Sequence, residues 1–413
     1  MTQAQEQALP VMADYRGDFP ALHQEVNGCP LVYLDSAASA QQPLSVIEAV
    51  ARYQQHDHAN VHRGVHTLSH RATDAYEGAR DRIQRFINAA NRSEIVLTSG
   101  TTESINLVAQ SFCRPQLKPG DQVLISHMEH HSNIVPWQLV CEQTGAELVV
   151  APMNDRGELD MSAFAALVTD DVRMLAIAHV SNALGTINPV ETVIAMAKER
   201  GIPVLLDGAQ GVPHMSVDVQ ALDCDFYAFS GHKMFGPTGI GVLFGRETLL
   251  DAMPPYKGGG DMILEVSFDG TTYNELPYKF EAGTPNISGV VGLGAAVDYL
   301  EAVGPERIAA HEAQLLDYMT KQLSDIDGIR LYGTAREKAS VQSFLVDDIH
   351  AHDLGTILDH QGVAIRTGHH CAMPVMEYFG VAGTARASLA LYNNEDDVDR
   401  LVQAVDKART IFA

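Results

Sequence analysis

The chain has 413 residues, enough for about two domains around a large buried core. Its 52 acidic and 28 basic residues give a net charge of −24, which argues against binding to the nucleic-acid backbone or to an anionic membrane. The five cysteines are widely spaced and form no C-x-x-C pair, so neither a disulfide framework nor a structural zinc is expected. We expect a cytoplasmic protein, because no secretory signal pattern opens the chain and no window holds the ~18 apolar residues of a membrane span.

The first part of the chain is predicted to contain a polar arm, one strand and two helices. Residues 1–30 form the arm, with a helix-like segment at 18–26, and residues 31–34 form a strand that ends in small residues. Helices are predicted at 43–55 and 67–88, the second with an apolar face. The loop between them carries His62 and Arg63, a pair that is more often solvated surface than part of an active site.

A candidate anion site follows the predicted strand at 94–98. Gly100, Thr101 and Thr102 precede a helix predicted from residue 105, and a glycine turn with hydroxyls at a helix start offers N–H groups to a phosphate. The same residues also fit an ordinary capping box. The two interpretations do not exclude each other.

Three histidines follow the predicted strand at 122–126. His127, His130 and His131 suggest a metal, yet a turn lacks the i, i+4 spacing that places two imidazoles on one helical face. We therefore predict no metal site here.

Strands and helices then alternate as in an α/β protein. Strands are predicted at 147–151, 172–179 and 203–206, with helices at 160–168 and 189–200, and the alternation continues to residue 244. Asn182 follows one strand end. Asp207 follows the buried strand at 203–206, where α/β sheets bind ligands, although it could also cap the next helix.

A lysine follows the next predicted strand, at 225–229. Ser230, Gly231, His232 and Lys233 come directly after it. Burying an ammonium group is costly unless the group is paired or covalently modified. A covalent link between Lys233 and pyridoxal phosphate (PLP) would remove this cost, with Asp207 paired to the protonated ring nitrogen.

The rest of the chain indicates a smaller second domain. Residues 257–261 are predicted to be a turn rather than a phosphate loop, and residues 267–286 show no periodicity. Helices are predicted at 288–301 and 306–324, strands at 329–332, 341–346 and 386–391, and a last helix at 395–411. We predict an N-terminal arm (1–30) that packs on the small domain, a large domain (31–292) and a small C-terminal domain (293–413).

A second reactive stretch is RTGHHCAMP, residues 366–374. Its composition predicts an exposed loop that carries Cys371, where histidines and a helix beginning near Met373 would favour the thiolate. A buried, inert cysteine is the common alternative. Arg386 follows at a predicted strand start, and its planar fork suits a substrate carboxylate.

These motifs together carry a family resemblance. Asp207-x-x-Gln210, Ser230-Gly-His-Lys233 and RTGHHCAMP, in this order, resemble fold-type I PLP enzymes of the class V aminotransferase-like group, and specifically its SufS/CsdA branch of cysteine desulfurases. The match runs from about Phe19 to the C-terminus. It implies a homodimer whose large domain holds a mainly parallel seven-stranded sheet and whose small α/β domain carries the cysteine loop.

The resemblance also implies roles for individual residues. Lys233 holds the cofactor and moves the substrate protons, His130 stacks on its ring, and Thr284 contacts the phosphate of the neighbouring subunit. The cofactor-binding set is Lys233, Asp207, Gln210, His130, Thr102, Thr101, Ser230, His232, Asn182 and Thr284. The substrate-binding set is Arg386, with Arg366 a weaker candidate, Asn182 and His62.

The implied reaction converts L-cysteine to L-alanine and leaves sulfur as a persulfide on Cys371. An acceptor protein of SufE or SufU type then takes the sulfur for iron–sulfur cluster assembly. Two alternatives remain open: a selenocysteine lyase with the same residues, or, from another class, a metal- or nucleotide-binding α/β protein.

Overall fold

A seven-stranded sheet forms the centre of the larger part of the molecule. The computed structural model describes residues 15–412. In chain order the strands are β1 (Ile95–Thr98), β2 (Gln122–Ser126), β3 (Glu147–Ala151), β4 (Val172–Ala178), β5 (Val204–Asp207), β6 (Phe226–Ser230) and β7 (Gly241–Gly245). Across the sheet the order is β1-β7-β6-β5-β4-β2-β3, and only β7 runs antiparallel to its neighbours. The α/β fold with a mainly parallel seven-stranded sheet is therefore confirmed.

Both faces of this sheet are buried, which explains its nearly continuous apolar strands. Along β2, Val123 and Ile125 pack into one hydrophobic cluster, while Leu124 packs into the other. In β5, Leu205 and Leu206 divide between the same two clusters. Polar residues are therefore displaced to the strand ends, where Asp207 and the residues after β6 stand.

Helices cover the sheet and connect its strands. The α-helices of this part are Leu44–Arg52, Thr67–Phe86, Thr101–Leu107, Val135–Thr144, Met161–Leu167, Val190–Lys198, Val219–Leu222, Glu247–Ala252 and Ile287–Val303. Two of them continue as π-helical turns, Tyr53–Asp57 and Val108–Cys113. The helix predicted from residue 105 already begins at Thr101, directly after Gly100.

The C-terminal part contains a four-stranded antiparallel sheet. Its strands are β8 (Ile329–Tyr332), β9 (Val341–Val346), β10 (Arg366–Gly368) and β11 (Thr384–Ser388), in the order β8-β9-β11-β10. Its helices are Pro305–Ser324, Ala351–Asp359, Met373–Tyr378 and Glu395–Phe412. The strand predicted at 386–391 is observed at Thr384–Ser388. Residues 389–391 are apolar and buried but lie beyond the last paired residue, so the apolar run placed the predicted strand too late.

The N-terminal segment differs from its prediction. Residues 18–26 are not a helix: short 3-10 turns, Arg16–Asp18 and Pro20–Leu22, precede a hairpin of Glu25–Val26 with Cys29–Pro30. Pro20 lacks the N–H that a longer helix would need. The first strand is only Val32–Tyr33, and it pairs with Val363–Ala364 of the C-terminal part. Residues 1–14 of the predicted arm lie outside the described residues.

The absence of regular structure predicted for residues 267–286 is wrong in part. Ile263–Ser267 and Gly270–Tyr273 form a β-hairpin, and Tyr278–Phe280 forms a 3-10 turn. Most residues of the hairpin are exposed on both faces, so its sequence lacks the alternation that marks a half-buried strand.

The predicted boundary between residues 292 and 293 falls inside the helix Ile287–Val303, and the domain limits stay predictions.

No single helix of residues 15–412 is both long and apolar enough to cross a membrane; only the bent pair Ile287–Val303 and Pro305–Ser324 meets those criteria together.

Candidate active site

A cavity of about 370 Å³ opens at the carboxyl ends of β4, β5 and β6. Residues from both parts of the chain line it. All the predicted site residues except His62 and Thr284 are among them: Thr101, Thr102, His130, Asn182, Asp207, Gln210, Ser230, His232, Lys233, Arg366, Cys371 and Arg386. The fold therefore brings together predicted site residues that are up to 285 positions apart in the sequence, from Thr101 to Arg386.

An acid and a lysine are among the residues that line the cavity. Asp207 ends β5, and Lys233 ends a 3-10 turn, Gly231–Lys233, directly after β6. Burial raises the pKa of Asp207, against the attraction of Lys233, while Ala209 N–H donates to its Oδ1 at 3.0 Å. Burial lowers the pKa of Lys233 to about 8, against the attraction of Asp207. The lysine is thus partly neutral near neutral pH, which a nucleophilic amine requires.

His130 stands in the turn after β2. Its Nδ1 lies 2.7 Å from Ser132 Oγ and accepts the Ser132 N–H at 3.0 Å. Burial lowers the pKa of His130 to about 3, and the charge of Lys233 adds to the effect. The ring is therefore neutral and can stack on a flat ligand.

The other two histidines of this turn have separate partners. His127 Nε2 lies 3.1 Å from Pro374 O, and His131 Nε2 accepts the Met373 N–H at 3.1 Å. Across residues 15–412, no three or more His, Cys, Asp or Glu side chains are grouped so that they could hold a metal ion.

Hydroxyl and N–H groups meet at one corner of the cavity. Ser230 Oγ accepts the Thr101 N–H at 2.9 Å and lies 2.7 Å from Thr101 Oγ1. Gly100 has a φ of +150°, and a Cβ there would lie 3.3 Å from Ser230 Oγ. Burial lowers the pKa of His232 to about 4, with a further contribution from Lys233. This corner, with Thr102 beside it, can bind an anion such as a phosphate.

Two arginines share one carboxylate, that of Asp35. Arg386 Nη2 is 3.1 Å from Asp35 Oδ1, and Arg366 Nη2 is 2.9 Å from Oδ2. Arg386 Nη1 donates to Asn182 O at 2.9 Å, but within residues 15–412 its buried Nε has no hydrogen-bond partner. Burial lowers the pKa of Arg386 to about 10, so the group stays charged at neutral pH. A buried cation with an unused donor suits a substrate carboxylate.

Cys371 is the exposed thiol of the cavity wall. It lies between β10 and the helix Met373–Tyr378, which begins where the sequence predicted. The other four cysteines are buried or half-buried, and burial raises the pKa of Cys141 to about 11 and that of Cys224 to about 12. Among the five thiols, Cys371 is therefore the accessible one.

A family model, aminotransferase class-V, matches residues 32–401. The chain belongs to this family.

Three relatives with similar sequences and folds are all named cysteine desulfurases. A cysteine desulfurase of Salmonella agona is 53% identical over 398 residues, which cover 96% of this chain and 98% of that protein. The crystal structure of the cysteine desulfurase CsdA from Escherichia coli, in an S-sulfonic acid form, has a TM-score of 0.90 at 44% identity and covers 97% of this chain and 98% of CsdA. An apo cysteine desulfurase from Thermococcus onnurineus has a TM-score of 0.91 at 41% identity, over 96% of this chain and 98% of its own.

Two residues predicted for this class-V family site lie away from the cavity. His62 Nε2 is 2.8 Å from Glu77 Oε1, and this hydrogen bond is the main reason why the pKa of His62 is raised. Thr284 is exposed. Contacts within one chain therefore do not bring either residue to the cavity, and both roles stay predictions.

Sequence reasoning missed two acids. Asp35 follows the first apolar run, and its carboxylate was assigned no role in the site. Glu129 is fully buried beside His130, where its carboxylate accepts from Ala178 N–H at 3.0 Å and from Asn133 Nδ2 at 2.6 Å. Burial raises the pKa of Glu129 to about 7. An acid between two histidines in a strand-end turn is the signal that could have found it.

Proposed function

We propose that this chain, a cysteine desulfurase, converts L-cysteine to L-alanine and takes up the sulfur as a persulfide on Cys371. The observation that carries the proposal is that the exposed Cys371, Lys233 and Arg386 line one cavity. The activity itself is supported by 53% identity to a cysteine desulfurase over 96% of the chain.

The residues of the cavity fit PLP. Asp207 is a buried carboxylate whose Oδ1 accepts a single N–H, that of Ala209, and within residues 15–412 Gln210 Oε1 is buried without a hydrogen-bond partner. Lys233 would hold the aldehyde, Asp207 the ring nitrogen and His130 the ring face. Thr101, Thr102, Ser230 and His232 would hold the phosphate, with Gln210 and Asn182 near the ring oxygen. When bound, PLP supplies an electron sink for charge that develops at the substrate Cα.

Three side chains act on the substrate. Arg386, which lines the cavity, binds the carboxylate of cysteine, and Lys233 Nζ takes the proton from Cα. The Cys371 thiolate attacks the substrate sulfur, so an S–S bond forms as the Cβ–S bond breaks. The electron pair of the broken bond ends as a C–H bond when Cβ is protonated, and Lys233 Nζ then returns a proton to Cα, which gives alanine. Sulfur is oxidised as Cβ is reduced, so no external oxidant is needed.

A homodimer is the assembly we propose. The hairpin Ile263–Tyr273 exposes Leu264, Val266 and Phe268, an apolar group that a second copy of the chain would cover. Thr284 follows in the same exposed region and would then be available to the neighbouring cavity.

Transfer to an acceptor protein of SufE or SufU type, in iron–sulfur cluster assembly, is the fate of the persulfide that we propose. The exposure of Cys371 supports it, because an acceptor thiol must reach the persulfide sulfur. Five unpaired cysteines also suit the reducing conditions of the cytoplasm, the location we propose.

Product analysis with and without reductant tests this function. Pure PLP-loaded protein is incubated with L-cysteine, and alanine and sulfide are measured separately. We expect alanine in both cases. Sulfide should exceed the amount of enzyme only when a thiol reductant releases the persulfide. Cys371→Ala should lose alanine formation, whereas Cys29→Ala, at a half-buried cysteine, serves as the matched control and should keep it. Alanine formation that survives in Cys371→Ala would contradict the proposal.

A further inference from the structure

The cysteine loop, residues 369–373, has two consecutive residues in the left-handed backbone region. The φ angle is +52° at His370 and +55° at Cys371. Residues with a Cβ rarely adopt this region, and they persist there only where the surroundings hold the backbone. The position of the Cys371 thiol therefore depends on what the loop is bonded to.

Two hydrogen bonds connect this loop to His131, in the turn after β2. The His131 N–H donates to Cys371 O at 2.8 Å, and the Met373 N–H donates to His131 Nε2 at 3.1 Å. The His131 ring also lies against that of His369, with centroids 5.6 Å apart. One residue thus holds the backbone directly after the reactive thiol, at the Cys371 carbonyl and at the Met373 N–H.

The remaining contacts hold a different part of the loop. Asn182 Nδ2 donates to His370 O at 2.6 Å, and His370 Nε2 lies 2.8 Å from Thr384 Oγ1. Within residues 15–412, and apart from bonds inside the helix Met373–Tyr378, the hydrogen bonds that reach Cys371 and Met373 from outside the loop both come from His131. The segment directly after the thiol is therefore bonded to the turn after β2 through His131, while His127 contacts the next residue, Pro374.

The ring bond requires a particular form of the imidazole. Because His131 Nε2 accepts, the ring must be neutral with its proton on Nδ1. Burial lowers the pKa of His131, and the neighbouring His369 lowers it further, so the neutral form prevails near neutral pH.

We propose that His131 is a positioning residue that holds the cysteine loop in the conformation presenting Cys371 to the cavity. His131 does not line the cavity, so it acts through the loop, whereas the adjacent His130 does line it. One turn thus places both the ring that would stack on the cofactor and the backbone of the reactive cysteine. The inference rests on the proposed function only in taking Cys371 as the sulfur acceptor.

Three variants of the PLP-loaded protein test this role. His131→Phe keeps a ring beside His369 but removes the acceptor, and His131→Gln restores an acceptor near the position of Nε2. His350→Phe is the matched control, because His350 Nδ1 also accepts a backbone N–H at a helix start, from His352 at 3.3 Å, and within residues 15–412 no hydrogen bond joins its ring to residues 369–373. Each variant is measured by amide hydrogen exchange at Met373, by kcat and KM for cysteine, and by its visible absorbance.

The loss of one hydrogen bond should change rates by roughly threefold to tenfold. In His131→Phe we expect Met373 exchange to rise and kcat to fall by that factor, with KM and the absorbance band unchanged. His131→Gln should recover most of both effects, and His350→Phe should show neither.

Other results would overturn the inference. Unchanged Met373 exchange in His131→Phe would show that the ring does not hold the loop. If His131→Gln recovers no more of the exchange protection and kcat than His131→Phe, the effect comes from the shape of the imidazole and not from its acceptor nitrogen. Exchange does not require turnover, so it still decides the inference if Cys371→Ala proves active and the proposed sulfur acceptor is wrong. Loss of bound PLP in His131→Phe would show a folding role instead.

Discussion

Replacing Asp207 by Asn separates two effects of this acid on the cavity. Asp207 is buried beside Lys233, and its negative charge partly offsets the effect of burial on the lysine. The pKa of Lys233 is about 8 in the presence of that charge. Asn has nearly the same shape and its Oδ1 can still accept the Ala209 N–H, so the variant removes the charge while changing the geometry little.

The expected size follows from the fraction of neutral lysine. A lysine with a pKa of about 8 is neutral in roughly one molecule in ten at pH 7, compared with about one in three thousand at the ordinary value. Loss of a nearby opposite charge typically lowers an amine pKa by ~1 or more, which would make roughly half of Lys233 neutral at pH 7. Asp207→Asn should therefore capture PLP about fivefold faster at pH 7, although its turnover should fall by orders of magnitude.

Covalent capture of PLP by the apo-protein provides the assay. Its rate is followed by visible absorbance between pH 6 and 10, and borohydride reduction with peptide mapping identifies the labelled lysine. In the parent protein the rate should rise through about pH 8, because the pKa of Lys233 is lowered and the neutral amine is gained as pH rises. In the variant the midpoint should move to lower pH. A midpoint that stays or rises, a label on another lysine, or near-normal turnover would refute the reasoning.

Three further predictions concern single side chains. Arg386→Lys should raise KM for cysteine about tenfold or more with a smaller effect on kcat, because lysine cannot replace a guanidinium bonded to both Asn182 O and Asp35; an unchanged KM would exclude this carboxylate site. Cys371→Ala should lose cysteine turnover by orders of magnitude but keep appreciable activity on selenocysteine, whose selenium departs more readily; joint loss with PLP still bound would give the loop a positioning role in both reactions. Glu281→Ala should cost about 3 kcal/mol in urea unfolding, the lower end for a broken buried ion pair, because the fully buried Arg80 loses its 2.7 Å partner but keeps Glu77 at 3.0 Å; a loss below about 1 kcal/mol would show that the site relaxes.

The sequence predicted what local patterns determine. Apolar runs bounded by Gly, Pro or Asp gave the strands Gln122–Ser126, Glu147–Ala151, Ile329–Tyr332 and Val341–Val346 at their observed limits. The same patterns placed Asp207 and Lys233 at the ends of adjacent strands, and parallel pairing of Leu205 with Phe226 then brings those ends together. Because both faces of these strands are buried, their polar residues lie at the strand ends.

The sequence did not predict pairings between distant segments. Val32–Tyr33 pairs with Val363–Ala364, and Asp35 meets Arg366 and Arg386, which no local period can reveal. The short strand Arg366–Gly368 was missed because three residues cannot display an alternation. The hairpin Ile263–Tyr273 was also missed. Most of its residues are exposed, so its sequence has no alternation of apolar and polar residues.

These distant pairings determine how sulfur can leave the cavity. The strand β10 immediately before the cysteine loop is held by the ion pair of Arg366 with Asp35, and the helix after the loop is held by the contact of His127 with Pro374. With both flanks bonded to other parts of the protein, Cys371 has only a few residues of free chain, at ~3.5 Å each, over which to move. A persulfide on Cys371 therefore cannot be carried far from the cavity by its own loop. If Cys371 is the sulfur acceptor, as proposed, the next thiol therefore has to reach the cavity mouth.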